Sequence, residues 1–143
     1  MNTSYFSLPF DVKRIISNSE HNKCTIKESI ANYIHLLTTS YFGECTFDET
    51  FGCSIWDVDF DNLASVNKIK GIIGESLIES IKNHEKRLTN IGVEVKIKQE
   101  EIASQKSANN IKKKVSIKIK GVIRKTNENF LFNEHFFIGP LSY

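Results

Sequence analysis

The chain has 143 residues, 40% of them apolar, and a formal net charge of +2 from 19 basic and 17 acidic side chains. That length suits one domain with its own core and is short for two, and ten phenylalanines argue against general disorder. So small a net charge gives no global basis for a nucleic-acid or membrane partner, although the charge is uneven, with acids over 44–61 and bases in "HEKR" and "IKKKVSIKIKGVIRK".

Cys24, Cys45 and Cys53 lack the C-x-x-C spacing of a zinc or redox site and are odd in number. Reduced cysteines in a cytosolic protein fit better than a disulfide framework. "MNTSYFSLPFDVKR" lacks the apolar stretch of a secretory signal, and no run reaches the ~20 apolar residues of a membrane span. The expectation is a soluble, cytoplasmic protein.

Residues 1–23 read as an irregular or partly extended arm, with Phe6, Leu8 and Phe10 alternating. A capping box follows: Thr25 accepts from the third helical amide and Glu28 returns the bond. Ile26, Ile30, Tyr33, Ile34 and Leu37 make one apolar stripe, which predicts a helix over about 26–40. Residues 42–62 carry glycines, acids and aromatics at irregular spacing and read as a structured loop with a short helical turn. Val66, Ile69, Ile73, Leu77 and Ile81 predict a second helix over about 63–83. Within it Gly71 and Gly74 cost propensity, which a close approach to a neighbouring element would explain.

The period then changes from 3.6 to 2. Ile91, Val93, Val95 and Ile97 alternate with Glu94, Lys96 and Lys98, and "QEEIASQKSANNIKK" is a polar connection. Val115, Ile117 and Ile119 alternate with Ser116, Lys118 and Lys120 as a second strand. After the turn "KTNEN", Phe130, Phe132, Phe136 and Ile138 share a third strand face that Glu134 interrupts, and Pro140 ends it. The prediction is a single α+β domain over 1–143, with 1–23 as its arm. Two main helices pack on a small, mainly antiparallel sheet formed largely by the C-terminal half.

The chemistry is sparse. His21-x-x-Cys24 has zinc-like local spacing but no second close pair. Cys45 or Cys53 with His35 or His84 lacks any nucleophile motif, and a small buried hydrophobe is the plainer role for these cysteines. Asp48, Glu49, Asp57, Asp59, Asp61 and Glu85 supply acids for a glycosidase, but abundance is not the facing geometry such an enzyme needs. No phosphate-loop or dinucleotide motif occurs, and the lysines at 112–114, 118 and 120 read as the solvated face of a strand and a guard on its edge. Trp56 is either a core anchor whose indole seeks Asp57 or Asp59, or an exposed interface residue. The residues favour a binding or assembly module over an enzyme, with no metal and no cofactor.

Three segments carry a resemblance: "ESIANYIHLLTTSYFGE", "FDETFGCSIWD" and "IKNHEKRLTNIGVEVKI". From about Phe10 to Ile138 the chain resembles the baseplate wedge proteins of contractile phage tails, historically the tail-lysozyme family. It is most similar to the TssE branch of type VI secretion systems. The family's Glu-Pro-Arg triplet reads Glu85-Lys86-Arg87 here, and lysine frees the backbone that proline would fix.

The resemblance implies a structural subunit whose triplet docks on the wedge core and whose sheet shares strands with the first sheath ring. Implied partners are TssF-like and TssG-like wedge subunits and sheath subunits, with no small-molecule substrate, nucleic acid or membrane insertion, in a membrane-docked assembly. The partner-binding candidates are Glu85, Lys86 and Arg87; Phe42, Gly43, Phe51, Gly52, Trp56 and Asp57 in the loop; and Phe130, Phe132, Asn133 and Phe136 in the last strand. Glu85 and Arg87 are expected to be fixed yet exposed. A cell-wall hydrolase using the loop acids, or a stand-alone regulatory adaptor, are the alternatives.

Overall fold

The computed structural model describes residues 4–17, 19–58, 66–102 and 110–138. The arm is more ordered than its sequence suggests. Strand β1 (Tyr5–Phe6) pairs antiparallel with β2 (Lys23–Cys24) around a short helix α1 (Val12–Ile16), which Asp11 caps. Its five residues are too few to show a helical period. Buried His21 fixes the turn, accepting from the Asp11 amide at 2.9 Å and packing edge-on against Phe6.

Helix α2 (Ile26–Thr39) begins at the expected capping box, with the Glu28 amide donating to Thr25 and the Thr25 amide to the Glu28 carboxylate. The Thr25 amide and hydroxyl, both donating to the Glu28 carboxylate, hold that carboxyl below its ordinary pKa. Helix α3 (Val66–His84) buries the expected Ile69, Ile73, Leu77 and Ile81; its predicted start at 63–65 lies outside the described residues. The close approach expected at its glycines is absent at Gly71, where an added Cβ would meet nothing within 4 Å, and loose at Gly74, where it would touch Val95 at 4.0 Å.

Strands β3 (Leu88–Ile102), β4 (Asn110–Ile123) and β5 (Asn129–Ile138) form an antiparallel sheet in that order. β3 and β4 run well past the apolar alternation, into the predicted polar connection. Ladder hydrogen bonds are made by the main chain and do not need apolar side chains to continue. A bulge between Thr89 and Gly92 turns β3 out of the helix end. Val115, Ile117 and Ile119 of the central strand are buried beneath the helices, against Ile30, Ile34, Ile73 and Leu77. The opposite sheet face is covered by none of the described elements.

Candidate docking site

The triplet sits where α3 hands over to β3. Glu85 extends the helix, its amide donating a hydrogen bond to the Ile81 carbonyl at 2.8 Å. Its carboxylate takes Arg87 Nε at 2.8 Å and Nη2 at 2.6 Å, as well as the Arg87 amide at 3.0 Å. Nη1 donates to Ser29 of α2 at 2.9 Å, and the guanidinium lies 5.3 Å from the Tyr5 ring centroid. The Arg87 carbonyl accepts from the Arg124 amide. One residue thus joins the arm and α2 through its side chain and the β4–β5 hairpin through its carbonyl. Hydrogen bonds to Glu85 raise the Arg87 pKa further above its ordinary value.

Here the expected exposure needs correcting. The Glu85 side chain is 3% exposed and that of Arg87 30%. The acid is buried because its partner sits two residues on and reaches back over it, which no periodicity reveals. Lys86 is exposed, and its Nζ donates to the Lys82 carbonyl at 2.8 Å, capping the helix end. The freedom that lysine restores is therefore largely removed again by these bonds.

The loop is anchored by its main chain. Gly52 has φ +136°, its carbonyl accepts from buried Ser80 at 2.6 Å, and the Cys53 amide donates to the Ser40 carbonyl at 3.1 Å. Phe51 packs between Tyr33 and His84, at centroid distances of 5.8 and 5.4 Å. Cys53 is fully buried, which pushes its thiol up to about 11. Its Sγ donates to the Thr38 carbonyl. Trp56 Nε1 donates to the same carbonyl at 3.0 Å, and its ring meets Phe136 edge-on at 5.4 Å. The expected partner Asp57 is not used, and Asp59 lies outside the described residues. The last carbonyls of a helix lack internal donors, so Thr38 is the ready acceptor. Trp56 nevertheless stays 42% exposed. Gly43, at φ +81°, turns the loop outward, leaving Phe42 part-exposed and Phe47 almost wholly exposed. Asp57 is also exposed.

On β5 the side chains divide. Phe130 is buried, and Phe132 and Phe136 pack on the core, so these three candidates face inward rather than toward a partner. The interrupting Glu134 also faces inward, accepting from Thr38 at 2.9 Å and pairing with His35 at 2.5 Å, and so ties β5 to α2. Leu131, Asn133, His135 and Phe137 are exposed. The main chain has a definite phase. The Ile123 amide bonds the Glu128 carbonyl at 2.9 Å, and the register then runs unbroken from Val122–Asn129 to Lys113–Ile138. Bonded and non-bonded pairs alternate, so even-numbered residues of β5 bond to β4 while Asn129, Leu131, Asn133, His135 and Phe137 turn their main-chain groups to the other side. Among the described residues no strand pairs there.

His21 and Cys24, the zinc-spaced pair, are engaged in arm hydrogen bonds, and no group of three metal-capable side chains converges among the described residues. No described helix is long and apolar enough to cross a membrane. Sequence reasoning missed Ser29, Tyr5 and Glu134. Only Glu134 left a signal, as a carboxylate at an inward position of an alternating strand.

No curated protein matches the chain. A crystal structure from Geobacter sulfurreducens that carries a tail-lysozyme label is similar in fold, with a TM-score of 0.59 and 21% identity over 86% of this chain and 100% of that one. Residues 24–128, from β2 through both main helices to the β4–β5 turn, match the family described as baseplate wedge protein gp25, and the chain belongs to that family.

Proposed function

We propose that the protein is a structural baseplate subunit of a type VI-like contractile injection machine, cytoplasmic, docking on TssF-like and TssG-like wedge subunits and starting sheath assembly by strand sharing. The observation that carries the reading is the phase of β5. Five consecutive odd-numbered residues hold their main-chain groups toward an unpaired edge, and such an edge accepts a partner's strand. The wedge contacts are assigned to Lys86, the exposed rim of Arg87, and the outward loop residues Phe42, Trp56 and Asp57. Glu85, Gly52 and Phe51 serve them from behind by fixing the backbone.

Asn133→Pro tests this. The Asn133 amide faces the open side, so proline removes one edge donor and leaves the bonds to β4 in place. The expected result is a folded variant that still copurifies with wedge subunits but seeds few or no sheaths. Normal sheath seeding by that variant overturns the strand-sharing assignment.

A hydrolase is disfavoured by the state of its candidate carboxylates. Glu85 is bound to Arg87, and Asp48 is held below its ordinary pKa chiefly by the Thr50 hydroxyl and amide. A general acid needs the opposite shift. Incubation with peptidoglycan is expected to release no muropeptides. Release that disappears with Asp48→Asn or Asp57→Asn would reinstate the enzyme.

A further inference from the structure

We propose that the hollow between the loop and α3 seats an arginine side chain of a partner protein. The inference rests on the docking reading only in that Phe42 is given a wedge contact there. The titration that tests it contains no baseplate protein, so the two fail separately.

Helix α3 puts Ile72, Ser76, Glu79 and Asn83 on one face, three or four residues apart. That face meets Phe42 and Ser54 of the loop across a hollow of about 400 Å³. The two sides are held in place by hydrogen bonds: the Ser54 amide donates to Ser76 at 3.2 Å, and Ser80 donates to the Gly52 carbonyl at 2.6 Å. The hollow is therefore built into the fold.

An exposed glutamate on a helix is ordinarily just solvated, but the hollow holds a less ordinary group. The Ser54 hydroxyl oxygen is buried and has no hydrogen-bond partner, which forfeits a bond that folding usually keeps. Glu79 likewise has no ion pair or hydrogen bond among the described residues, and Glu75 four residues before it on the helix repels it. Asn83 adds an amide oxygen. Glu79 is the single charged residue of the lining, and residues 42–58 carry four acids and no lysine or arginine. The charge on offer is thus of one sign and favours a cation.

The chemistry narrows that cation to arginine. Separate acceptors are met together by a planar fork of donors, whereas a lysine ammonium is a compact point charge. The guanidinium also stacks on aromatic faces, and the part-exposed Phe42 ring meets no other ring or cation among the described residues. A metal ion is a poor fit, since no group of three metal-capable side chains converges among the described residues. Phe42 and Ile72 are large, part-exposed apolar side chains at the hollow, and the residues flanking an arginine in a protein segment cover them, which free arginine does not.

The test uses the full chain, labelled with ¹⁵N and titrated with a short blocked peptide that carries one arginine between two leucines. Peptides with lysine or the neutral isostere citrulline in its place, and free arginine, are run alongside. The arginine peptide is expected to shift the amides of Phe42, Ser54 and Ser76 and to saturate, and each of the other three to bind more weakly. Glu79→Gln should weaken it by about tenfold and Ser54→Ala by about threefold. Glu75→Gln, equal in charge change but outside the lining, should keep wild-type affinity. Backbone spectra of the free variants check that each is folded. No saturable binding, equal binding of the lysine or citrulline peptide or of free arginine, unchanged affinity in Glu79→Gln or Ser54→Ala, equal loss in Glu75→Gln and Glu79→Gln, or shifts confined to another face would each overturn the proposal.

Discussion

Arg87→Ala is expected to lower stability by about 3 kcal/mol, since truncating one partner of a buried pair leaves the other's charge uncompensated. Glu85 is that partner: its carboxylate is 3% exposed and receives three of its bonds from Arg87. The estimate sits at the low end for buried pairs because Arg87 itself keeps 30% of its side chain in solvent. For a chain of this length the loss corresponds to roughly 10 °C in Tm. Arg87→Lys should recover little, because an ammonium cannot reproduce the two-point contact and the bond to Ser29 together. Glu85→Met/Arg87→Met should regain much of the loss by removing the stranded charge. Denaturant unfolding of the four proteins checks this cycle. A single Arg87→Ala variant as stable as the parent would mean that the ion pair serves only a partner. With the expected loss, a failure to copurify with wedge subunits must be judged on Arg87→Lys or Lys86→Glu at a temperature where the variant is folded.

The contrast between local and distant signals explains what the sequence made legible. The capping box at Thr25 and Glu28, the stripe from Ile30 to Leu37, and the alternation around Val95 and Ile117 lie within a few residues of one another, and each element formed as read. The ends of β3 and β4 were missed because hydrogen-bonded ladders persist through polar residues. Burial of Glu85 was missed because Ser29, 58 residues away, and Tyr5 of the arm complete the setting of its partner. The same reason hid the partner of Trp56: the indole could have met Asp57 next to it, but the helix end at Thr38 offers a carbonyl beyond the reach of the helix's own donors. Glu134 is the intermediate case, visible as a misfit in the pattern and explained only by His35 and Thr38 of the helix packed on that face.

Gly52→Ala should be at least as damaging as Arg87→Ala. The backbone at Gly52 has φ +136°, a region that an L side chain rarely enters, so strain alone costs about 1–3 kcal/mol. Overlap adds to it. A Cβ would stand 2.8 Å from both the Ser40 carbonyl oxygen and the Tyr41 carbonyl carbon, which are main-chain atoms at the end of α2 and cannot rotate aside. Relief requires the loop to lift from the helix, and lifting breaks the bonds from Ser80 to Gly52 and from Cys53 to Ser40. The expected cost is about 4 kcal/mol, strain and lost buried bonds together. Gly43→Ala is the control. Its φ of +81° is also strained, but nothing lies within 4 Å of the added atom, so a loss of only about 1 kcal/mol is expected. Trp56 is the single tryptophan and reports on the loop directly. If the loop lifts, its contact with Phe136 opens and its emission shifts to the red in Gly52→Ala but not in Gly43→Ala. Equal stability losses with unchanged emission in both variants would show that the 52–56 segment does not depend on the close approach at Gly52.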